Sequence, residues 1–195
     1  MKSLKIGYAM CGAFCDLSSA IKSMERLKSE GHEIIAIMSN NAYTLDTRYG
    51  NAIDIIAKIE SVTEKEVLHQ ITQVEPIGRE NMTDIMVISP CTGNTLAKLA
   101  NGISDTAVTL AAKSHLRNQK PLVIAITTND GLSAAFQNLG HLMNVRNIYF
   151  VPFSQDNVVD KPNSLVANFD LIPATIEKAM KNEMLEPRFY GELSL

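Results

Sequence analysis

Asp84-Ile85-Met86-Val87-Ile88-Ser89-Pro90-Cys91-Thr92-Gly93-Asn94-Thr95 is an apolar run that halts at a proline and passes into small polar residues. Ile85 to Ile88 are apolar at every position, as in a strand covered on both faces, and such strands belong to parallel sheets. Helical spacing follows from about Thr95 to Asn101, Thr95 is a candidate cap, and Gly102 ends the segment. Strand, polar loop and helix make the first half of a βαβ unit.

The same grammar extends outward in both directions. Leu4–Ala9 reads as a strand, Asp16 as a helix N-cap, and Leu17, Ala20, Ile21, Met24 and Leu27 as one apolar helix face closed by Gly31. Glu33–Met38 is a second unbroken apolar strand. Ile53, Ile55, Ile56 and Ile59 suggest a helix, Thr63 with Glu66 a capping-box start of another running to about Ile71, and Gln73–Glu75 a short strand. Beyond the central segment, Thr106–Arg117 reads as a helix, Leu122–Ile126 as a strand, and Leu132–Met143 as a helix. Asn147–Val151 then reads as a strand and Leu171–Lys181 as a last helix. Right-handed crossovers between such strands predict an α/β, Rossmann-like three-layer fold, a parallel sheet with helices on both faces. The expected organisation is a single domain over residues 1–195, with an extended or loosely packed tail from about residue 183.

In open sheets of this kind ligands bind beyond the carboxyl ends of the strands, where the winding reverses. Four loops qualify, beginning at Met10, Ser39, Ser89 and Thr127. The first holds one glycine, Gly12, and has neither Gly-x-Gly-x-x-Gly nor Gly-Lys-Ser/Thr, which disfavours NAD or nucleoside triphosphate there. It suits either a plain tight turn or a phosphate at the following helix N-terminus. The Pro90–Thr95 loop suits a flat heteroaromatic ring: Gly93 leaves the face clear and Asn94 offers both donor and acceptor. A capping turn without ligand is the competing reading. Asn129 or Asp130, in Thr127-Thr128-Asn129-Asp130-Gly131, can serve a ligand or simply cap a helix.

Composition narrows the classes further. Hydrophobic residues make up 46%, charged residues 20%, and the net charge is −3, with Lys and Arg scattered singly or in pairs such as Lys2/Lys5. That leaves no basic track for nucleic acid or anionic lipid. The run Ile6–Met10 is too short for a signal peptide core, and no stretch nears the roughly 20 apolar residues of a membrane span. Three cysteines, Cys11, Cys15 and Cys91, are an odd number suited to a reducing compartment, and they lack the spacing of a metal site. Cys11 and Cys91 can converge as buried thiols. Of the four histidines, His69 reads as sitting on a surface helix and His115 near a helix end, where positive charge complements the dipole. Met24, Met38, Met82, Met86, Met143 and Met180 read as core filler.

The segment Ser89–Asp105 resembles the flavin-dependent cysteine decarboxylase superfamily. Its signature, Pro-Ala-Ser-Ala-Asn-Thr followed by Lys-x-Ala-x-Gly-x-x-Asp, is matched at Pro90, Asn94, Thr95, Lys98, Ala100, Gly102 and Asp105. Asn118–Pro121, Thr127–Leu132, Asn147–Phe153 and Lys161–Ala167 narrow the resemblance to the family of dipicolinate synthase B subunits, over essentially the whole chain. The resemblance implies an FMN-binding flavoprotein fold. Gly12, Ala13, Phe14 and Ser39, with Ala42 nearby, would hold the phosphate. Pro90, Cys91, Thr92, Gly93, Asn94 and Thr95 would lie along the isoalloxazine, with Thr128 also at the cofactor. Asn94 and Asn129 would be the catalytic, orienting residues, and no metal is implied.

The family's work, done with the synthase's nicotinamide-dependent A subunit, is oxidation of a dihydrodipicolinate-type intermediate to dipicolinate in the mother-cell cytoplasm of sporulating bacteria. NAD(P) would enter only through that second chain, and the superfamily implies a trimer or dodecamer. Three departures matter. Pro76 stands where decarboxylases place a catalytic histidine, Thr128 and Leu132 replace motif methionines, and Ala13 replaces a phosphate-binding Ser or Thr. Cysteine decarboxylation, which needs that proton-transfer group, is therefore disfavoured. A non-catalytic partner of the A subunit with a vestigial pocket remains an open alternative, ahead of a stand-alone decarboxylase or prenyltransferase.

Overall fold

The computed structural model describes residues 3–191. In chain order, β1 (Lys5–Met10) leads through a 3₁₀ turn (Phe14–Asp16) to α1 (Leu17–Ser29) and β2 (Glu33–Met38). Next come α2 (Asn40–Thr44), α3 (Ala52–Thr63), α4 (Ile71–Val74), α5 (Pro76–Arg79), β3 (Ile85–Cys91), α6 (Gly93–Ala100) and α7 (Ala107–Leu116). The remainder is β4 (Leu122–Thr128), α8 (Phe136–Leu142), β5 (Ile148–Phe150), β6 (Phe153–Asn157), β7 (Lys161–Ala167) and α9 (Ile172–Ala179).

The sheet runs β2-β1-β3-β4-β7-β6, with β5 pairing part of β4. β1 is parallel to both β2 and β3, and β4 is parallel to both β3 and β5. This is the expected Rossmann-like arrangement, with helices on both faces. Ile34, Ile37, Ile85, Val87, Val123 and Ile124 are fully buried, which explains why the central strands show no polar alternation. The α1 stripe of Leu17, Ala20, Ile21, Met24 and Leu27 packs onto this core, and Gly31 takes a φ of +88° just beyond the helix.

The sheet is mostly parallel, as expected, with an antiparallel hairpin added at one edge. β6 and β7 form a hairpin antiparallel to each other, and β7 runs antiparallel to the end of β4 through Thr127–Val166 and Thr128–Leu165. β5 takes the first half of the same β4 flank, pairing Leu122–Ile124. The hairpin gave no periodic signal because its strands are half exposed, and Pro162 is tolerated near the start of β7.

Other boundaries move for local reasons. Thr63 does not start a helix; it ends α3, donating its hydroxyl to the carbonyls of Ile59 and Lys65, both at 3.0 Å. The capping box lies instead at Gln70, where Gln73 Oε1 accepts the amide of Gln70 at 2.9 Å, so Gln73–Glu75 is helical rather than a strand. His69 is on no helix but stacks on Tyr43, ring centroids 3.6 Å apart. Asp16 makes no capping bond, since it closes the 3₁₀ turn, and Thr92 rather than Thr95 caps α6. α8 starts at Phe136, later than expected, and neither Asn129 nor Asp130 caps it.

Met180 is 39% exposed and so is no core filler, whereas Met24, Met38 and Met86 are buried. His115 is buried instead of facing solvent at a helix end, and burial pushes its pKa down to about 4. It is neutral at ordinary pH and cannot complement the helix dipole. In the C-terminal tail, Phe189 packs edge-on against Phe153 at 5.7 Å, while residues 192–195 lie outside the described residues.

Candidate functional site

The chain winds from β1 outward to β2 and then returns to β3 on the other side of β1, so the winding reverses between β1 and β3. The carboxyl ends of these two strands are tied by the Cys11 amide donating to the Pro90 carbonyl at 3.1 Å. Beyond them lies a cleft of about 420 Å³ lined by Gly12, Ala13, Phe14, Cys15, Tyr49, Thr92, Gly93, Thr127, Thr128, Asn129 and Asp130. Its size is that of small-molecule sites. A larger groove of about 470 Å³ lies between α1 and α9, but it is far from these loops and includes none of their residues.

Three of the four expected loops therefore meet. Gly12, Ala13, Phe14, Thr92, Gly93, Thr128 and Asn129 all reach the cleft. Ser39 and Ala42 do not line it: Ser39 caps α2 by accepting the Ala42 amide at 3.4 Å, and Ala42 is buried. Loop two still borders loop one, since a Cβ on Gly12 would lie 3.6 Å from Asn41 Cβ. Pro90, Cys91 and Thr95 are buried beneath the cleft, where Thr95 Oγ1 sits 3.2 Å from Cys11 Sγ. Asn94 is exposed on the first turn of α6 and lies outside the lining.

Cys15, Tyr49 and Thr127 were not among the expected site residues, and Asp130 was weighed against a plain helix cap. The last two stood in a loop already singled out for its position after β4. Tyr49 had no such signal, because residues 45–51 carry no periodicity.

Gly93 explains how the loops close on one another. A Cβ there would fall 2.6 Å from Thr128 Oγ1 and 2.8 Å from Asp130 Oδ1, so only glycine lets α6 approach the β4 loop this closely. Thr128 donates its hydroxyl to Asp130 Oδ1. The hairpin holds the same loop from behind: Ser164 Oγ donates to Thr128 O at 3.2 Å, and the Leu132 amide to Asn163 O at 3.0 Å.

None of the three thiols is a ready nucleophile. Burial pushes Cys11 up to about 11 despite its bond to Thr95, and burial together with neighbouring Cys11 holds Cys91 well above its ordinary value. Cys15 is raised by partial burial and by the adjacent Asp16 carboxylate. All three are protonated at neutral pH, and Asp130 is the one carboxylate among the lining residues.

Thr127 Oγ1 is buried without a hydrogen-bond partner among the described residues. Such a group costs about 1–3 kcal/mol. Thr127→Val should therefore raise the melting temperature of the ligand-free protein by roughly 2–12 °C. Thermal unfolding checks this, and a fall in melting temperature would show that the hydroxyl is engaged.

A family model described as Flavoprotein matches residues 1–180. The B subunit of dipicolinate synthase from Bacillus subtilis (strain 168) is 41% identical over 187 residues, 96% of this chain and 94% of that protein. The crystal structure of the corresponding dipicolinate synthase B subunit from Bacillus halodurans superposes with a TM-score of 0.89 at 38% identity, covering 96% of each chain. A dodecameric FMN-dependent UbiX-like decarboxylase from Escherichia coli O157:H7 shares the fold, with a TM-score of 0.63 at 24% identity over 76% of this chain and 79% of that one.

Proposed function

The chain belongs to the flavoprotein family, and on that premise we propose that it serves as the flavin-binding B subunit of a dipicolinate synthase. The supporting observation is the 41% identity, across nearly the whole of both chains, with a protein of that name. Acting with an A subunit that supplies nicotinamide chemistry, it would take part in oxidising a dihydrodipicolinate-type ring to pyridine-2,6-dicarboxylate. The proposed setting is the mother-cell cytoplasm during sporulation, and the proposed assembly is a homo-oligomer, a trimer or a dodecamer like that named for the Escherichia coli relative.

The cleft residues fit FMN. Phe14 and Tyr49 offer aromatic surface, the Gly12 amide has no partner among the described residues, and the Thr127 hydroxyl lacks one too. A bound flavin would supply two-electron oxidation. The chain's own part is positioning. Asn129 from within the cleft and Asn94 from the neighbouring exposed turn are the proposed orienting amides. Asp130, held by Thr128, is the proposed proton acceptor. Pro76, which stands where decarboxylases carry their histidine, lies in α5 and outside the cleft, so the proposal assigns no decarboxylation.

A passive role, stabilising the nicotinamide-dependent partner chain, is the second reading. Ala13 favours it, having no hydroxyl for a phosphate, and so does the absence of lysine and arginine from the cleft lining. Titrating FMN into the purified protein while recording absorbance separates the two. Saturable binding in the micromolar range, about −8 kcal/mol, is expected. No binding at millimolar FMN would remove the flavin role and leave the passive one.

A further inference from the structure

Asp46 to Asn51 form a compact turn at the mouth of the cleft. The Thr47 amide donates to Gly50 O at 3.0 Å, the Gly50 amide returns to Thr47 O at 3.1 Å, and the Tyr49 amide donates to Thr47 Oγ1 at 3.1 Å. Asp46 fastens the turn to α3 by accepting the Ala52 amide at 2.8 Å. Gly50 has a φ of +145°, a backbone state that a side chain would strain. The turn thus presents Arg48 and Tyr49 in a fixed geometry at its tip.

Tyr49 lines the cleft. Arg48 places its guanidinium 4.9 Å from the centre of the Tyr49 ring and donates from Nη2 to Tyr49 Oη at 2.8 Å. The phenol oxygen accepts there, so its own O–H stays free to donate. Arg48 has no carboxylate partner among the described residues, unlike Lys161 on the nearby hairpin, which is paired with Asp156 at 2.5 Å. The lining contains one carboxylate, Asp130, and no cation. A substrate with two carboxylates finds neutral donors there but no positive charge, so a charged partner has to come from the rim.

We propose that Arg48, held on Tyr49 by the Thr47–Gly50 turn, is the residue that binds a carboxylate of a planar ring dicarboxylate entering this cleft. Guanidinium suits the task because its planar fork matches carboxylate oxygens two at a time. The rigid turn lowers the ordering cost of binding. The inference rests on the substrate class proposed above, and it makes Arg48 a specificity residue rather than a group acting on the ring.

The test is calorimetric binding of pyridine-2,6-dicarboxylate and pyridine-2-carboxylate to FMN-supplemented protein, with FMN affinity measured separately, for wild type, Arg48→Gln and Arg48→Lys. Wild type is expected to prefer the dicarboxylate. Arg48→Gln should weaken dicarboxylate binding roughly ten- to hundredfold and erase the preference, with FMN affinity unchanged. Arg48→Lys should recover part of the loss, as a point charge without the fork. Wild-type affinity for the dicarboxylate in Arg48→Gln overturns the inference alone. A loss falling on FMN instead assigns the guanidinium to the cofactor phosphate and also overturns it. If wild type binds neither pyridine acid, the substrate reading itself fails and takes the inference with it.

Discussion

Gly78→Ala should lower the stability of the protein by about 3 kcal/mol, a drop in melting temperature of roughly 6–12 °C. The reason is a backbone collision rather than a lost glycine turn. A Cβ on Gly78 would sit 2.3 Å from the carbonyl oxygen of Ser114 and 2.8 Å from its carbonyl carbon, and neither atom can swing away as a side chain can. α5 and α7 therefore meet backbone to backbone at this point. The contact is reinforced by Asn118, whose Nδ2 donates to Gly78 O at 2.6 Å. Relief would require α5 to retreat from α7, uncovering Ile77 and Val74, both buried. Thermal or urea unfolding checks the result, and a variant as stable as wild type would mean that the helices are not this close in solution.

The second large effect is an acid weakness. His115 Nε2 donates to Pro121 O at 2.9 Å, and Nδ1 accepts from the Thr83 hydroxyl at 2.8 Å, a pattern that fits a neutral ring. Burial is the main cause of its depressed pKa of about 4; the positive charge of Lys120 adds to it, while the Pro121 bond and Asp84 oppose it. In the unfolded chain the ring titrates near its ordinary value, so between about 6.5 and about 4 the unfolded state binds the extra proton. Stability is therefore complete above that window and lost as pH falls through it, by about 2 kcal/mol between roughly pH 7 and pH 5. Carboxylates contribute their own pH dependence, so the measurement is a comparison. Urea unfolding of wild type and His115→Gln at both pH values should show a smaller acid loss in the variant. Equal losses would sink the assignment to this ring.

The buried half of the fold was legible because its physics is repetitive. Strands with no exposed face must be apolar throughout, and Glu33–Met38 and Ile85–Ile88 announce themselves for that reason. Helix α1 was legible because one stripe faces the core and the rest faces water. Legibility ended where a residue had two possible local partners. The Thr63 hydroxyl can cap a helix ahead or bond back to its own helix, and the spacing to Glu66 cannot say which; here it bonds back to Ile59. The β6–β7 hairpin was silent because its strands are too exposed to need an apolar pattern.

For the cleft, the rule that ligands gather at strand ends located three of the four contributing segments without any family knowledge. What it could not supply was Tyr49, which arrives on a turn whose position depends on the packing of α2 and α3. Nor could it show that Asn94, inside the most telling motif, faces solvent while Gly93 beside it faces the cleft. One residue of helical rotation separates those outcomes, and helix rotation is set by packing.

The hairpin also ties distant parts of the chain to one cleft. The parallel strands β1 to β5 all lie in the chain up to Phe150, whereas the antiparallel hairpin is C-terminal to them. The loop carrying Asn129 and Asp130 is secured from that hairpin: Leu165 closes over Gly131, a glycine on which a Cβ would lie 2.6 Å from that side chain, and Asn163 and Ser164 supply the bonds. The cleft thus draws its shape from both ends of the chain, and Gly12, near the start, shares it with a loop that residues of β7, near the end, hold in place.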